Sequence, residues 1–284
     1  MTVLLPQIAI LGAGSMGGAI LSGLLSPEVE TAGITVTNRT EAKAAGVRMS
    51  TAGHAGVVSL ALESDPDATT TALHGAKLVL LGVKPAMVPG LLRDIRDTLP
   101  PDAIVVSVAA GVTIATMEAL VPNVVFRAMP NTPSLVGLGV TGVAAGSRAS
   151  DEHAALVRTL FETVGAVIEL PESQIDALST ISGSGPAYVF LLIEQLTATA
   201  RKLGFDEEQS RIMVEQTFRG ASELLARERA QSDVDPAELR RRVTSPTGTT
   251  ERAIGVLQSA DLSELFDRAT AAALVRAGEM ARGE

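Results

Sequence analysis

Residues Gly12-Ala13-Gly14-Ser15-Met16-Gly17 constrain the fold of this chain more than any other stretch. They follow the apolar run Gln7-Ile8-Ala9-Ile10-Leu11, which reads as a strand, and precede Gly18-Ala19-Ile20, which opens a helix. A G-x-G-x-x-G pattern between strand and helix is a dinucleotide-binding fingerprint. Gly12 permits the tight turn, Gly14 lets the main chain approach a pyrophosphate, and Gly17 allows close helix–strand contact. The helix start then offers N–H groups and a partial positive charge to phosphate. Gly12, Ala13, Gly14, Ser15, Met16 and Gly17 are therefore candidate cofactor contacts. The bland alternative is a tight turn alone, and the flanking elements favour the nucleotide.

The end of the second strand decides which nucleotide. An NAD site carries Asp or Glu there to hold the ribose 2′-hydroxyl. Here Ile34-Thr35-Val36-Thr37 runs into Asn38-Arg39-Thr40, with no acid at the tip. Asn38 and Thr40 offer hydrogen bonds, and Arg39 offers charge to a 2′-phosphate. NADPH is the expected cofactor, and the nearby Glu41 keeps NADH as the alternative. Two further strand ends, Leu80–Pro85 and Val106–Gly111, turn on short side chains where ligands lie in open α/β sheets. Val83, Lys84, Pro85, Ala109 and Ala110 join the candidate cofactor contacts.

At 284 residues the chain suits two domains. Strands are expected at Gln7–Leu11, Ile34–Thr37, Val57–Leu62, Lys77–Val83, Ile104–Val108, Val124–Ala128, Gly139–Ala145 and Ala166–Glu169, with helices between them. Beyond Pro171 strand patterns vanish. Helical periodicity covers Gly185–Leu203, Glu207–Arg229, Pro236–Val243, Thr249–Ser259 and Ser263–Arg282. The expected fold is an α/β N-terminal Rossmann (doubly wound) domain, residues 1–170, followed by an all-α C-terminal dimerisation domain, residues 171–284. Val189, Leu192, Ile193, Leu196 and Ala200 share one helix face, which suits a homodimer contact or a higher assembly. The alternative is packing on the first domain only.

The formal net charge of −9 argues against a nucleic-acid partner. Absence of cysteine excludes disulfides, thiol nucleophiles and Cys-ligated zinc. Met1–Leu11 lacks a basic leader, and the apolar stretch Ala103–Val121 is interrupted by Ser107, Gly111, Thr113, Thr116 and Glu118. A soluble, cytoplasmic protein without a membrane span is expected. His54, His74 and His153 stand apart from every motif, and no metal site is expected.

Three later segments carry a family resemblance. Arg127-Ala128-Met129-Pro130-Asn131-Thr132-Pro133, Ser182-Gly183-Ser184-Gly185-Pro186-Ala187-Tyr188 and Thr244-Ser245-Pro246-Thr247-Gly248-Thr249-Thr250 resemble pyrroline-5-carboxylate reductase. The glycine fingerprint, Asn38-Arg39-Thr40 and Val83-Lys84-Pro85 fit the same family, in order along nearly the whole chain. The resemblance implies NAD(P)H-dependent reduction of a cyclic imine to L-proline, the last step of proline biosynthesis. It also implies a helical domain that interlocks with its partner's. Position for position, it puts Thr250 at the imine nitrogen as the catalytic candidate. Ser245, Gly248 and Thr249 surround the substrate carboxylate, Ser182 and Gly183 line the substrate site, and Pro130 and Asn131 adjoin the nicotinamide. The chemistry suits these residues: a protonated cyclic imine is already electrophilic, so positioning matters more than a strong base or a metal.

Plainer readings stand beside these. Thr249 or Thr250 can simply cap a helix, Gly185-Pro186 can simply start one, and Arg240-Arg241-Arg242 reads as a solvated helix face, with a contact from Arg242 to the cofactor as the alternative. Thr247 departs from the family, which generally has Gly there. If the position needs positive φ, a β-branched residue is strained. A β-hydroxy-acid dehydrogenase would want a basic residue early in the long interdomain helix, and none stands between Ser182 and Arg201. A non-catalytic NADPH-binding regulatory protein is the non-enzymatic alternative.

Overall fold

In the computed structural model residues 2–282 are described. Met1, Gly283 and Glu284, the outermost residues of the two expected domains, lie outside them. The strands are β1 (Val3–Leu5), β2 (Ile8–Leu11), β3 (Val29–Thr31), β4 (Ile34–Asn38), β5 (Val57–Ala61), β6 (Leu78–Leu81), β7 (Ile104–Ser107), β8 (Val124–Met129), β9 (Gly139–Ala145) and β10 (Gly165–Glu169). The helices of the same region are α1 (Ser15–Leu24), α2 (Glu41–Ser50), α3 (Ala68–Leu73), α4 (Val88–Ile95), α5 (Ile114–Glu118), α6 (Asp151–Glu162) and α7 (Ile175–Leu178). After them come α8 (Gly185–Lys202), α9 (Glu207–Ser232), α10 (Pro236–Arg242), α11 (Thr249–Ser259) and α12 (Leu262–Arg282). Two compact units result: residues up to 184 together with those from 273 onward, and residues 185–272.

In the first unit eight strands form one sheet in the order β10-β9-β8-β7-β6-β2-β4-β5. All neighbours run parallel except β8 and β9, which pair antiparallel from Phe126↔Ala145 to Met129↔Gly142. The central strands are buried on both faces, which is why they read as unbroken apolar runs. Alternate residues serve opposite faces. Ile8 and Ile10 pack with Ile20, Leu24, Leu160 and Phe161 beneath α1 and α6. Ala9 and Leu11 pack with Val88, Leu92, Ile95 and Met117 beneath α4 and α5. The crossover helix α6 starts where Ser150 accepts from the His153 backbone N–H and His153 Nδ1 accepts from that of Ser150. This reciprocal cap gives His153 a structural role.

Two features differ from the sequence pattern. β1 and β3 pair parallel in a small separate sheet, Val3↔Val29 to Leu5↔Thr31, and three-residue runs give too little periodicity to announce it. Between Pro171 and Gly185, α7 continues into a π-helical turn at Ser179–Gly183, closed by Ser184 N–H to the Ser179 carbonyl at 2.9 Å.

The second unit is helical. α9 is capped by Asp206, which accepts from Gln209 N–H at 2.8 Å, while Gln209 Oε1 accepts from Asp206 N–H. α10 starts on Asp235 and Pro236. Tyr188 on α8 meets Phe266 on α12 with ring centroids 6.1 Å apart. Among the described residues of this unit only Ala200, Ser210, Val214 and Val234 are buried. Val189, Leu192 and Leu196, on the face singled out by periodicity, are 44, 49 and 46% exposed.

Candidate functional site

The glycine turn between β2 and α1 is held by its own close packing. Gly12 has φ +95°, and a side chain on Gly17 or Gly82 would put its Cβ 2.5 or 2.1 Å from the Gly12 carbonyl oxygen. Gly12 N–H donates to the Thr37 carbonyl of β4 at 2.9 Å, and Gly82 N–H to that of Leu11. Three strand ends are thereby drawn to one point. Gly14 is different: a Cβ there would meet only the Gly82 oxygen, at 3.9 Å. The protein itself leaves room in front of Gly14, as a pyrophosphate cradle requires. Gly14 N-caps α1 without a side-chain cap, so the first N–H groups of that ten-residue helix remain for a ligand.

A cavity of about 330 Å³ opens at this point, lined by Gly12, Ala13, Gly14, Asn38, Arg39, Lys43, Gly82, Val83, Lys84 and Met87. Asn38 is only 4% exposed. Its Oδ1 accepts from Ala13 N–H at 3.3 Å, while its Nδ2 is buried without a partner. An orphaned buried donor is costly unless an acceptor arrives, and the hydroxyls of an adenosine ribose are suitable acceptors. Turn, helix start and orphaned amide together fit a dinucleotide. Of the expected cofactor contacts the cavity gathers Gly12, Ala13, Gly14, Asn38, Arg39, Val83 and Lys84. Lys43, Gly82 and Met87 were not singled out by the sequence, although Gly82 stands in a strand-end turn and Lys43 lies four residues past Arg39.

The remaining candidates do not line this cavity. Ser15, Met16 and Gly17 form the first turn of α1, Thr40 precedes α2, and Pro85 starts a 3-10 turn. Ala109 and Pro130 are buried, and Ala110 is half-buried. Asn131 is committed within the protein: its Oδ1 accepts from Val140 N–H at 2.8 Å and its Nδ2 donates to the Ser182 carbonyl at 2.9 Å. One amide thus ties β9 to the π-helical turn that carries Ser182 and Gly183.

That turn is fixed a second time through α7, which runs into it. Arg127 of β8, 3% exposed, pairs with Asp176 of α7 at 2.5 Å and Glu172 at 3.5 Å. Glu172 also accepts from Ile114 N–H at 2.7 Å.

Ser245–Thr250 belong to the second unit. Gly248 N–H donates to the Ser245 carbonyl at 3.0 Å, closing a turn with Pro246 second and Thr247 third. Thr247 has φ +62°, the left-handed geometry that a type II turn demands at that position. The strain expected of a β-branched residue is therefore present. Gly248 N-caps α11 with no side-chain cap, and the Glu251 carboxylate folds back to accept from Thr247 N–H at 2.8 Å. Thr249 and Thr250 occupy the first two helical positions, both exposed. Neither caps the helix, so the plain capping reading is not what the structure holds. Upstream, Arg241 and Arg242 are paired with Glu238, and Arg242 also with Glu228, consistent with a helix face of ion pairs. Among the described residues no group of three His, Cys, Asp or Glu could hold a metal, and no helix is long and apolar enough to cross a membrane.

The doubly wound sheet, the glycine turn and the cationic cavity define a dinucleotide-dependent oxidoreductase of the Rossmann class with a helical second unit. Two family models divide the chain accordingly: NADP oxidoreductase coenzyme F420-dependent matches residues 7–111, and Pyrroline-5-carboxylate reductase dimerisation matches residues 172–280. The chain is 37% identical to the pyrroline-5-carboxylate reductase of Pseudomonas aeruginosa, covering 97% of each, and 36% identical to that of Corynebacterium melassecola, covering 97% of this chain and 98% of that one. A solved pyrroline-5-carboxylate reductase from Coxiella burnetii superposes with TM-score 0.84 at 35% identity, over 96% of this chain and 97% of that one. The Plasmodium falciparum pyrroline carboxylate reductase, at 24% identity and TM-score 0.78 over 97% and 98%, shares the fold. The chain belongs to the pyrroline-5-carboxylate reductase family.

Proposed function

We propose that this protein reduces 1-pyrroline-5-carboxylate to L-proline with NADPH, the last step of proline biosynthesis. The observation that carries this reading is similarity to such reductases along the whole chain, 37% over 97% of its length, with the nucleotide cavity intact. Bound there, the cofactor supplies a hydride to the ring carbon of the C=N bond, and the ring nitrogen keeps the proton of the iminium form.

The chain's own residues bind and orient. The N–H groups at the start of α1 hold the pyrophosphate, Asn38 the ribose, and Arg39 the 2′-phosphate. Thr40, Val83, Lys84 and Pro85 flank the adenosine half, while Ala109, Ala110, Pro130 and Asn131 flank the nicotinamide half. Since the side-chain amide of Asn131 is already engaged, its part is to keep the turn of Ser182 and Gly183 in place. The uncapped start of α11 supports Ser245, Gly248 and Thr249 as the carboxylate site, because free N–H donors at a helix start attract anions. Thr250, with an exposed hydroxyl, is the hydrogen-bond partner of the ring nitrogen.

In functional terms residues 1–170 form the nucleotide domain and residues 171–284 the substrate and dimerisation domain. The protein works as a homodimer or higher homo-oligomer through its C-terminal helices, supported by the apolar rows these helices leave uncovered and by the dimerisation match. A cytoplasmic location goes with the reading, since the reaction draws on soluble NADPH and imino acid. Saturable loss of NADPH absorbance on adding pyrroline-5-carboxylate, with proline formed in equal amount, tests it. Binding of NADPH without turnover would favour a regulatory protein, and turnover only of a hydroxy acid with NADP would favour the dehydrogenase alternative.

A further inference from the structure

We propose that Lys43 is a second cation for the cofactor's 2′-phosphate, and that Arg48 is a positioning residue that keeps Glu41 off that subsite. Cofactor choice would then rest on two cations displayed, Arg39 and Lys43, and one acid withheld. The inference rests on the reading of the Gly12–Gly17 turn as an NADPH site.

The charges lining the cavity are Arg39, Lys43 and Lys84, with no acid among them. None of the three forms an ion pair among the described residues, although the chain has 32 acidic residues against 23 basic ones. Cations left unpaired on one wall of an acidic protein suit a ligand that brings its own negative charge. Arg39 directly follows β4 and Lys43 lies in the first turn of α2, so the two bracket the place where a ribose 2′-substituent would lie.

Glu41 stands between them in sequence and could spoil this arrangement. Ionised, it would repel a phosphate and accept from a ribose hydroxyl, the pattern of an NAD site. The structure turns it away. Its carboxylate pairs with Arg48 and accepts from Ser64 Oγ at 3.0 Å. Arg48 is itself anchored, since Nη1 donates to the Ser59 carbonyl of β5 at 3.0 Å. The Arg48 guanidinium and then the Ser64 hydroxyl hold the Glu41 carboxyl below the usual carboxylate range, so at neutral pH the acid is charged. The neighbouring acid, Glu63, is likewise engaged, accepting from Glu41 N–H at 3.0 Å. Neither acid lines the cavity.

The test is direct binding of 2′,5′-ADP and 5′-AMP to the full-length protein by calorimetry, with NADPH and NADH in parallel. Lys43→Ala should weaken 2′,5′-ADP about threefold to fivefold and leave 5′-AMP nearly unchanged, the scale of one partly exposed charge pair. The gap between the ligands should narrow in high salt, where the Debye length falls to about 3 Å at 1 M. Arg48→Ala should weaken 2′,5′-ADP about threefold and tighten NADH, and Glu41→Gln in that background should restore the wild-type ratio, as expected for like-charge repulsion at a rim site. Lys43→Gln and Arg48→Gln give the same readings if either alanine variant melts early. Equal losses for both ligands, no loss, or no rescue by Glu41→Gln would overturn the inference. Failure of the unmodified protein to bind either nucleotide would instead sink the underlying site assignment, and the inference with it.

Discussion

Replacing Thr247 by glycine should stabilise the protein, an uncommon outcome for an exposed position beside a substrate loop. A non-glycine residue in the left-handed region costs about 1–2 kcal/mol, and a β-branched residue belongs at the upper end. Against this, glycine gives the unfolded chain extra freedom worth about 0.5–1 kcal/mol. The Thr247 side chain is exposed, and among the described residues its hydrogen bond to Glu251 uses the backbone N–H, which glycine retains. The net gain is about 1–1.5 kcal/mol, or about 2–6 °C in thermal midpoint for a chain of this size. Scanning calorimetry at one protein concentration measures it. Thr247→Ala keeps a Cβ at φ +62° and should gain little. Thr247→Asn should lie between, since Asn tolerates left-handed geometry. Alanine matching glycine, or glycine lowering the midpoint, would refute the strain argument. The glycine variant should also retain its KM for the imine, because the turn keeps its shape.

Thr250→Ala should lower kcat about tenfold to a hundredfold, the range of a modest transition-state contact of ~1.4–2.7 kcal/mol, with the Kd for NADPH unchanged; unaltered kinetics would remove Thr250 from the reaction. Asp176→Ala leaves the buried Arg127, among the described residues, with Glu172 at 3.5 Å as its remaining ion partner and should cost about 3 kcal/mol, read as a drop in urea midpoint. Gly14→Ala should preserve the thermal midpoint yet weaken NADPH about tenfold or more, or ~1.4 kcal/mol. Gly82→Ala, whose Cβ would meet the Gly12 oxygen at 2.1 Å, should lose both stability and binding. Equal stability of those two variants would contradict the packing described for the turn.

Much of the first unit is legible in the sequence because its parallel strands are buried on both faces. Runs such as Leu78–Leu81 and Ile104–Ser107 declare themselves without any need of pairing information. The antiparallel reversal at β9 is not legible in this way, since Gly139–Ala145 reads the same in either direction. The π-helical turn at Ser179–Gly183 is hidden for another reason. It is held by Asn131 and by Arg127 through Asp176, partners about fifty residues upstream. Thr247 is open to suspicion because the family that the chain resembles generally has Gly there, although only the backbone angle decides the matter. Lys43 carried no signal of its own. A lysine on the exposed side of a helix is ordinary until its neighbours define a cavity around it.

With only Ala200, Ser210, Val214 and Val234 withdrawn from solvent, the helices from Gly185 to Ala272 have almost no interior of their own. If two copies supply each other's interior, folding of this half and encounter between chains become one event. Its equilibrium constant then carries units of molarity, and no single unfolding free energy describes it. Dilution would act on this half as a denaturant does, lowering turnover per chain while the doubly wound half still binds nucleotide.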